Sequence, residues 1–153
     1  MNLVDELHAI AAALRSAGVR YAVCGGVAVS AHGAPRSTKD IDIIVATEDL
    51  QLALDAVRPL GYAFLALPMT FDAGTERERN VQRVSKLQGA DHMLLDLLLA
   101  NASLAGALED RLEVQLPEGP LAVVSRATLI RMKQLAGRAQ DLLDLEQLER
   151  GDG

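Results

Sequence analysis

Tryptophan is absent from this chain, and only two tyrosines and two phenylalanines, Tyr21, Tyr62, Phe64 and Phe71, supply aromatic rings. So few rings rule against a platform on which successive nucleic-acid bases stack. The single cysteine, Cys24, excludes an intrachain disulfide framework and a zinc site built from several thiolates. Basic residues are outnumbered: 15 Lys and Arg against 21 Asp and Glu leave a net charge of −6. A protein of that sign does not coat nucleic acid unspecifically, so any such contact needs a local basic patch. The opening Met1-Asn2-Leu3-Val4-Asp5-Glu6 lacks the basic stretch of a secretory signal. No apolar run approaches the roughly 18 residues of a membrane span. These absences predict a soluble, cytoplasmic protein with no membrane association.

What is present is enough apolar residue for a folded core. Half of the 153 residues are hydrophobic, which excludes disorder and predicts one domain over 1–153. Leu3, Leu7, Ile10 and Leu14 recur at helical spacing, and Gly18 stands where a C-terminal cap belongs. Tyr21 to Cys24 reads as a short strand stopped by Gly25-Gly26, with a short helix from Val27 to His32 behind it. Ile41 to Val45 is β-branched and strand-like; Glu48 to Leu60 has a helical period. Leu67 to Asn80 carries Pro, Gly and mixed charge without a period and is expected to be a mobile loop. Val81 to Gln88 and His92 to Leu99 form a predicted hairpin around Gly89-Ala90-Asp91. Leu104 to Arg111 is expected to be helical, and residues 112–116 and 121–124 a second hairpin. Ala127 to Arg150 is a long helix with a break expected near Gly137. The pattern is α+β: a mixed sheet (core about 20–100) flanked by helices, then a hairpin and helical tail (about 112–150).

Three features carry chemistry. Asp40-Ile41-Asp42 places two carboxylates on one strand face, because side chains alternate across a strand. Two such carboxylates repel unless a cation lies between them, and hard oxygen ligands suit Mg²⁺ or Mn²⁺. The same dipeptide spacing also fits a solvated strand start beside Lys39. Gly25-Gly26 joins a strand directly to a helix, where backbone can approach a ligand closely and a helix N-terminus favours anions. Alone it is equally a plain turn. Asp96 lies inside Leu94-Leu95-Asp96-Leu97-Leu98-Leu99, where an ionised carboxylate is costly unless paired or metal-bound. An Arg-paired or protonated aspartate is the alternative.

Together these residues resemble the nucleotidyltransferase superfamily, with its polymerase-β-like fold. Val23-Cys24-Gly25-Gly26, then Asp40-Ile41-Asp42-Ile43, then Leu95-Asp96-Leu97 follow that signature in order. Arg36-Ser37-Thr38-Lys39-Asp40 looks like the Arg-x-Thr-x-Asp variant of small bacterial members, the abortive-infection (AbiEii-type) toxins and minimal nucleotidyltransferases. The stretch from Ala136 to Leu145 is similar to the closing helix of the same group. The resemblance implies transfer of a nucleoside monophosphate from an NTP to an acceptor hydroxyl, with two divalent ions held by Asp40, Asp42 and Asp96. It implies nucleotide contacts from Gly25, Gly26, Arg36, Thr38, Lys39 and Lys133.

The remaining residues admit plainer readings. Cys24 reads as a small core residue and His32 as a surface histidine; His8 and His92 have no partner at ligand spacing. Arg77, Arg79, Arg83 and Lys86 form either a solvated loop or a lid and RNA contact. Lys133 and Arg138 face the cleft or the solvent, and Asp141 and Asp144 share a helix face within reach of Arg138. The catalytic core fills nearly the whole chain, which favours an RNA or protein acceptor, and with it a toxin working opposite an antitoxin partner. A non-catalytic nucleotide- or partner-binding relative and an antibiotic-modifying nucleotidyltransferase are the alternatives.

Overall fold

The first helix, α1 (Leu3–Ser16), is capped by Asn2, whose side chain accepts the Asp5 backbone N–H at 3.1 Å; Asp5 and Glu6 occupy its first turn, at the positive end of its dipole. Its buried stripe is Leu7, Ile10, Ala11 and Leu14. The chain then turns through Gly18, at φ +74, into the sheet. We describe residues 1–26, 28 and 40–150 of a computed structural model. Arg36, Thr38, Lys39 and nearly all of the expected helix from Val27 to His32 lie outside the described residues.

The strands are β1 (Tyr21–Cys24), β2 (Asp40–Val45), β3 (Tyr62–Leu65), β4 (Met69–Phe71), β5 (Arg79–Gln88), β6 (Asp91–Leu99), β7 (Leu112–Leu116) and β8 (Gly119–Val123). They form one mixed sheet in the order β3-β5-β6-β2-β1-β8-β7, with β4 also on the edge of β5. β2 runs parallel to β6 and β1 parallel to β8, while β1–β2, β5–β6 and β7–β8 are antiparallel.

Alternation sorts the side chains onto two faces. On one, Ile41, Ile43, Val45, Leu95, Leu97 and Val123 pack against α1 and against Ala53, Leu54 and Val57 of α2 (Leu50–Val57). On the other, Ala22, Cys24, Ile44, Val81 and Leu98 pack against Leu104, Leu108, Leu129 and Leu148. The last two belong to α3 (Arg126–Ala136) and α4 (Ala139–Arg150), separated at Gly137 by its left-handed φ of +65. The break predicted at Gly137 is therefore present.

Three expectations are corrected. The helix expected over 48–60 is α-helical only from Leu50 to Val57, with 3₁₀ turns at Thr47–Asp49 and Arg58–Leu60, the second holding Pro59. Residues 67–80 are not an aperiodic loop throughout. β4 pairs there with the start of β5, and the Thr70 hydroxyl donates to the Asn80 side-chain oxygen at 2.8 Å. A three-residue strand is too short to display alternation, and β3 escaped notice for the same reason. Residues 104–111 form no α-helix: a 3₁₀ turn at Ala102–Leu104 leads into successive turns, with Gly106 at φ +85. Leu104 and Leu108 are buried all the same, which produced the helical spacing. Among the described residues, no helix is long and apolar enough to cross a membrane.

Candidate functional site

The strand register brings the sequence-predicted carboxylates together. Asp42 of β2 lies beside Asp96 of β6 in the parallel pair and opposite Cys24 of β1 in the antiparallel pair. Neighbouring strands are about 4.8 Å apart. A single row, Cys24–Asp42–Asp96–Arg83, therefore crosses the sheet on the face that α3 and α4 partly cover. Asp40 stands on the same face two residues from Asp42, while Ile41 and Ile43 are buried on the other.

Gly25 closes the row. Its φ is +71, and a Cβ built there would collide with the Asp42 carboxylate, with Cγ at 3.0 Å. The backbone and the carboxylate can be this close only because no side chain intervenes. Gly26 follows with helical backbone and is buried. The special position is thus Gly25, the first of the two glycines.

Asp42 is pushed up to about 6. Burial is the main cause, and the nearby charges of Asp96 and Asp40 add to it; Lys133 and Arg138 pull the other way. Cys24 is buried with its thiol raised well above the ordinary range, first by burial and then by Asp42, which leaves it the inert core residue expected.

Asp96 is paired with an arginine, the alternative that the sequence left open without naming the residue. Arg83 Nε and Nη2 donate to its two carboxylate oxygens at 2.8 and 3.0 Å. This two-point geometry fixes the plane of the carboxylate. Arg83 therefore leaves the basic cluster expected around Arg77, and the others scatter too. Lys86 turns to the opposite face and binds Glu6 at 2.8 Å. Arg79 lies over the Phe71 ring, 5.3 Å from its centroid. Four residues along β5 from Arg83, it sits about 13 Å away. The cluster is divided between both faces and both ends of the sheet.

Lys133 is neither a surface charge nor an open phosphate ligand. It is buried, with Nζ 3.2 Å from Asp141 Oδ1 and 3.1 Å from Asp144 Oδ2. Arg138 takes the other side of Asp141, with Nε donating to Oδ2 at 2.7 Å. Lys133 is close enough to Asp42 and Cys24 to shift both electrostatically. Asp141 and Asp144, expected to serve Arg138, both hold Lys133, and Asp141 also holds Arg138. Their i, i+3 spacing was the available signal.

The donor chemistry of Asp40 and Asp42 fits a hard divalent cation, whose charge would relieve the repulsion that raises Asp42. Among the described residues, no three His, Cys, Asp or Glu side chains meet closely enough to hold one ion. The third carboxylate, Asp96, is held by Arg83 from the β5 side.

No family model matches the chain, and no curated protein matches it in sequence. Solved structures do match. The antibiotic-resistance factor ANT(2'')-Ia, in complex with adenylyl-2''-tobramycin, superposes with a TM-score of 0.64 at 17% identity, over 98% of this chain and 89% of that one. The lincosamide antibiotic adenylyltransferase LnuA, bound to lincomycin, gives 0.59 at 16%, over 95% of each chain. A Thermotoga maritima protein solved as a candidate nucleotidyltransferase gives 0.63 at 15%, over 96% of this chain and 92% of that one. With 95% of each chain covered, LnuA shows that a chain of about this length can hold the fold of that adenylyltransferase. At such identities the likeness establishes architecture, and the architecture of this chain is the nucleotidyltransferase fold.

Proposed function

We propose that the protein is a metal-dependent nucleotidyltransferase, moving a nucleoside monophosphate from an NTP to an acceptor hydroxyl. The observation that carries this reading is the convergence of Gly25, Asp42 and Asp96 in one row, with Asp40 beside it, at the β1 strand-to-helix turn. Asp40 and Asp42 would hold Mg²⁺ or Mn²⁺, with Asp96 completing the set for a second ion. Such ions supply charge neutralisation of the triphosphate and acidify an acceptor hydroxyl.

The chain's own residues define the rest. Gly25 and Gly26 present backbone at a helix start, where N–H groups can receive phosphate oxygens. Arg83 fixes the Asp96 carboxylate, which orients the acceptor hydroxyl for in-line attack. The hydroxyl gives its proton to the Asp96 carboxylate as its oxygen bonds to the α-phosphorus, the bond from that phosphorus to the bridging oxygen breaks, and pyrophosphate leaves. Lys133 places a positive charge behind Asp42 without touching the reacting atoms. Arg36, Thr38 and Lys39, immediately before Asp40, are proposed as further phosphate contacts.

An RNA or protein acceptor is favoured by a catalytic core that fills nearly the whole chain, and a toxin opposed by an antitoxin by the resemblance of the Arg-x-Thr-x-Asp motif and the closing helix. A second reading, a small hydroxyl-bearing acceptor, is favoured by the near-complete coverage of LnuA and ANT(2'')-Ia. The scattering of Arg79, Arg83 and Lys86 favours it too, because among the described residues these cations do not group to meet an RNA backbone. The deciding experiment incubates the protein with each α-labelled NTP, Mg²⁺ or Mn²⁺ and cell extract, then separates RNA, protein and metabolites. Label lost in Asp42→Asn supports the activity, and its fraction names the acceptor class. No label from any NTP refutes the activity.

A further inference from the structure

Next to the carboxylate row lies a second row on the same face: Asp40, Leu94, Ser85 and Phe64, in register across β2, β6, β5 and β3. Paired residues share a face, so all four stand beside Asp42, Asp96 and Arg83. The irregularity between Tyr62 and Phe64 matters here. Tyr62 pairs with Lys86 and is buried on the α1 side, where its hydroxyl donates to Glu6 at 2.8 Å. The register shift then sends Phe64 to the opposite face, where it is 57% exposed. Leu87, beyond Ser85 on the same strand face, is also 57% exposed.

The row spans three strand spacings, about 15 Å from Asp40 to Phe64. At its Asp40 end a cavity of about 350 Å³ opens at the sheet rim, lined by Asp40, Asp91, His92 and Leu94 together with Met1, Leu3 and Met93, and the Met1 ammonium binds Asp91 there at 2.7 Å. The side chains between Asp40 and Phe64 are uncharged. Among the described residues, the cations near the row are paired: Arg83 with Asp96, Lys86 with Glu6 across the sheet, and the Met1 ammonium with Asp91. An apolar shelf of this size, flush with the carboxylates and with no grouped unpaired cations among the described residues, suits the apolar body of a small molecule better than a nucleic-acid backbone.

We propose that this shelf seats the acceptor: a small molecule with an apolar face that lies along Leu94 and Phe64 and a hydroxyl that reaches the Asp42–Asp96 row. The shelf rests on the nucleotidyl-transfer reading for its purpose but not for its binding, and the two are tested separately. The probe is n-octyl β-D-glucoside below its micelle-forming concentration, titrated into ¹⁵N-labelled protein, with glucose as the control. Amide shifts are expected at Phe64, Ser85, Leu87 and Leu94 with the alkyl glucoside and not with glucose. Loss of one aromatic or aliphatic contact in Phe64→Ser or Leu87→Ser should weaken that binding about fivefold. Both side chains are more than half exposed, so both variants fold. Shifts spread over other surfaces, or unchanged affinity in both variants, overturn the shelf. So does an RNA oligonucleotide that shifts the same amides more strongly than the glucoside. A parallel titration with ATP and Mg²⁺ should move Gly25, Gly26 and Asp42 equally in wild type and both variants. If those amides stay still while the glucoside binds, nucleotidyl transfer fails and the shelf's affinity stands on its own.

Discussion

Arg83 and Asp96 face each other across the β5–β6 pair, and the guanidinium meets both carboxylate oxygens. Asp96 is in turn the parallel-strand neighbour of Asp42. The third carboxylate of the candidate site is therefore anchored from the side away from the other two, and its direction is set by a residue on a different strand.

Asp96→Asn is expected to abolish nucleotidyl transfer while the fold persists, since the amide fills the same volume and Arg83 remains half-exposed and hydrated. Arg83→Gln should retain transfer at a reduced rate, because it loosens the carboxylate without removing it. Rates of label transfer from an α-labelled NTP, alongside melting curves, check both. Equal rates for Asp96→Asn and wild type would make the carboxylate a structural partner of Arg83 and nothing more.

Why this pair was not legible is a matter of one residue. The hairpin was evident in the sequence, but a three-residue loop of Gly89-Ala90-Asp91 would set Arg83 opposite Leu97. The actual turn is Gly89-Ala90, so Gln88 pairs with Asp91 and Arg83 with Asp96. A shift of one residue carries every side chain to the other face. β2, by contrast, declared itself through Ile41, Ile43 and the two aspartates, because alternation within one strand needs no partner. Gly25-Gly26 was legible as a strand-to-helix turn, but the reason for glycine was not: it lies in Asp42, 17 residues on. The Lys133 cluster depends on how α3 folds back on α4 at Gly137, and only tertiary structure reveals that.

Gly25→Ala should be more costly than Gly18→Ala, although both glycines have φ above +70. The left-handed backbone alone costs about 1 kcal/mol in each case. A Cβ at Gly18 meets nothing within 4 Å, whereas one at Gly25 strikes Asp42. Melting temperatures of the two variants compare them directly, and equal losses would show that Asp42 moves aside freely. Gly25→Ala should also lose the thermal shift given by NTP with Mn²⁺.

Asp42→Asn is expected to stabilise the cation-free protein. Asp42 is buried beside two like charges, and the neutral amide removes that burden. In the same variant, Mn²⁺ with NTP should no longer raise the melting temperature. A variant that keeps the full ligand-induced shift would exclude Asp42 from cation binding.

Lys133→Met should destabilise by about 3–5 kcal/mol, because it leaves Asp141 and Asp144 buried without their shared cation. Arg138→Ala removes a guanidinium whose side chain is 69% exposed and should cost much less. The triple variant Lys133→Met, Asp141→Asn, Asp144→Asn should recover part of the loss, since it takes away the stranded charges. Chemical denaturation curves measure all three, and a Lys133→Met loss no larger than that of Arg138→Ala would contradict the clamp.

The same clamp gives the protein an acid limit. Burial pushes Asp141 up, but the Arg138 hydrogen bond and the charge and hydrogen bond of Lys133 outweigh it and hold the carboxyl below its ordinary value of 3.8. A carboxyl whose pKa is lower folded than unfolded binds fewer protons in the native state. Its contribution is therefore complete above about pH 4 and is lost as pH falls through the folded value. The groups facing it are Lys133 from α3, Arg138 at the junction and Asp144 one turn along α4. Acidification should accordingly free α4 from α3 before it unfolds the sheet, whose α1 face holds the less buried Lys86–Glu6 pair among the described residues. Hydrogen exchange at pH 3 and pH 6 tests this. Amides of residues 139–150 should lose protection at pH 3 more than those of β2 and β6, and Asp141→Asn should show weakened protection of α4 already at pH 6. Equal protection of α4 at both pH values in wild type would mean that packing of Leu145 and Leu148, not the clamp, holds the helix in place.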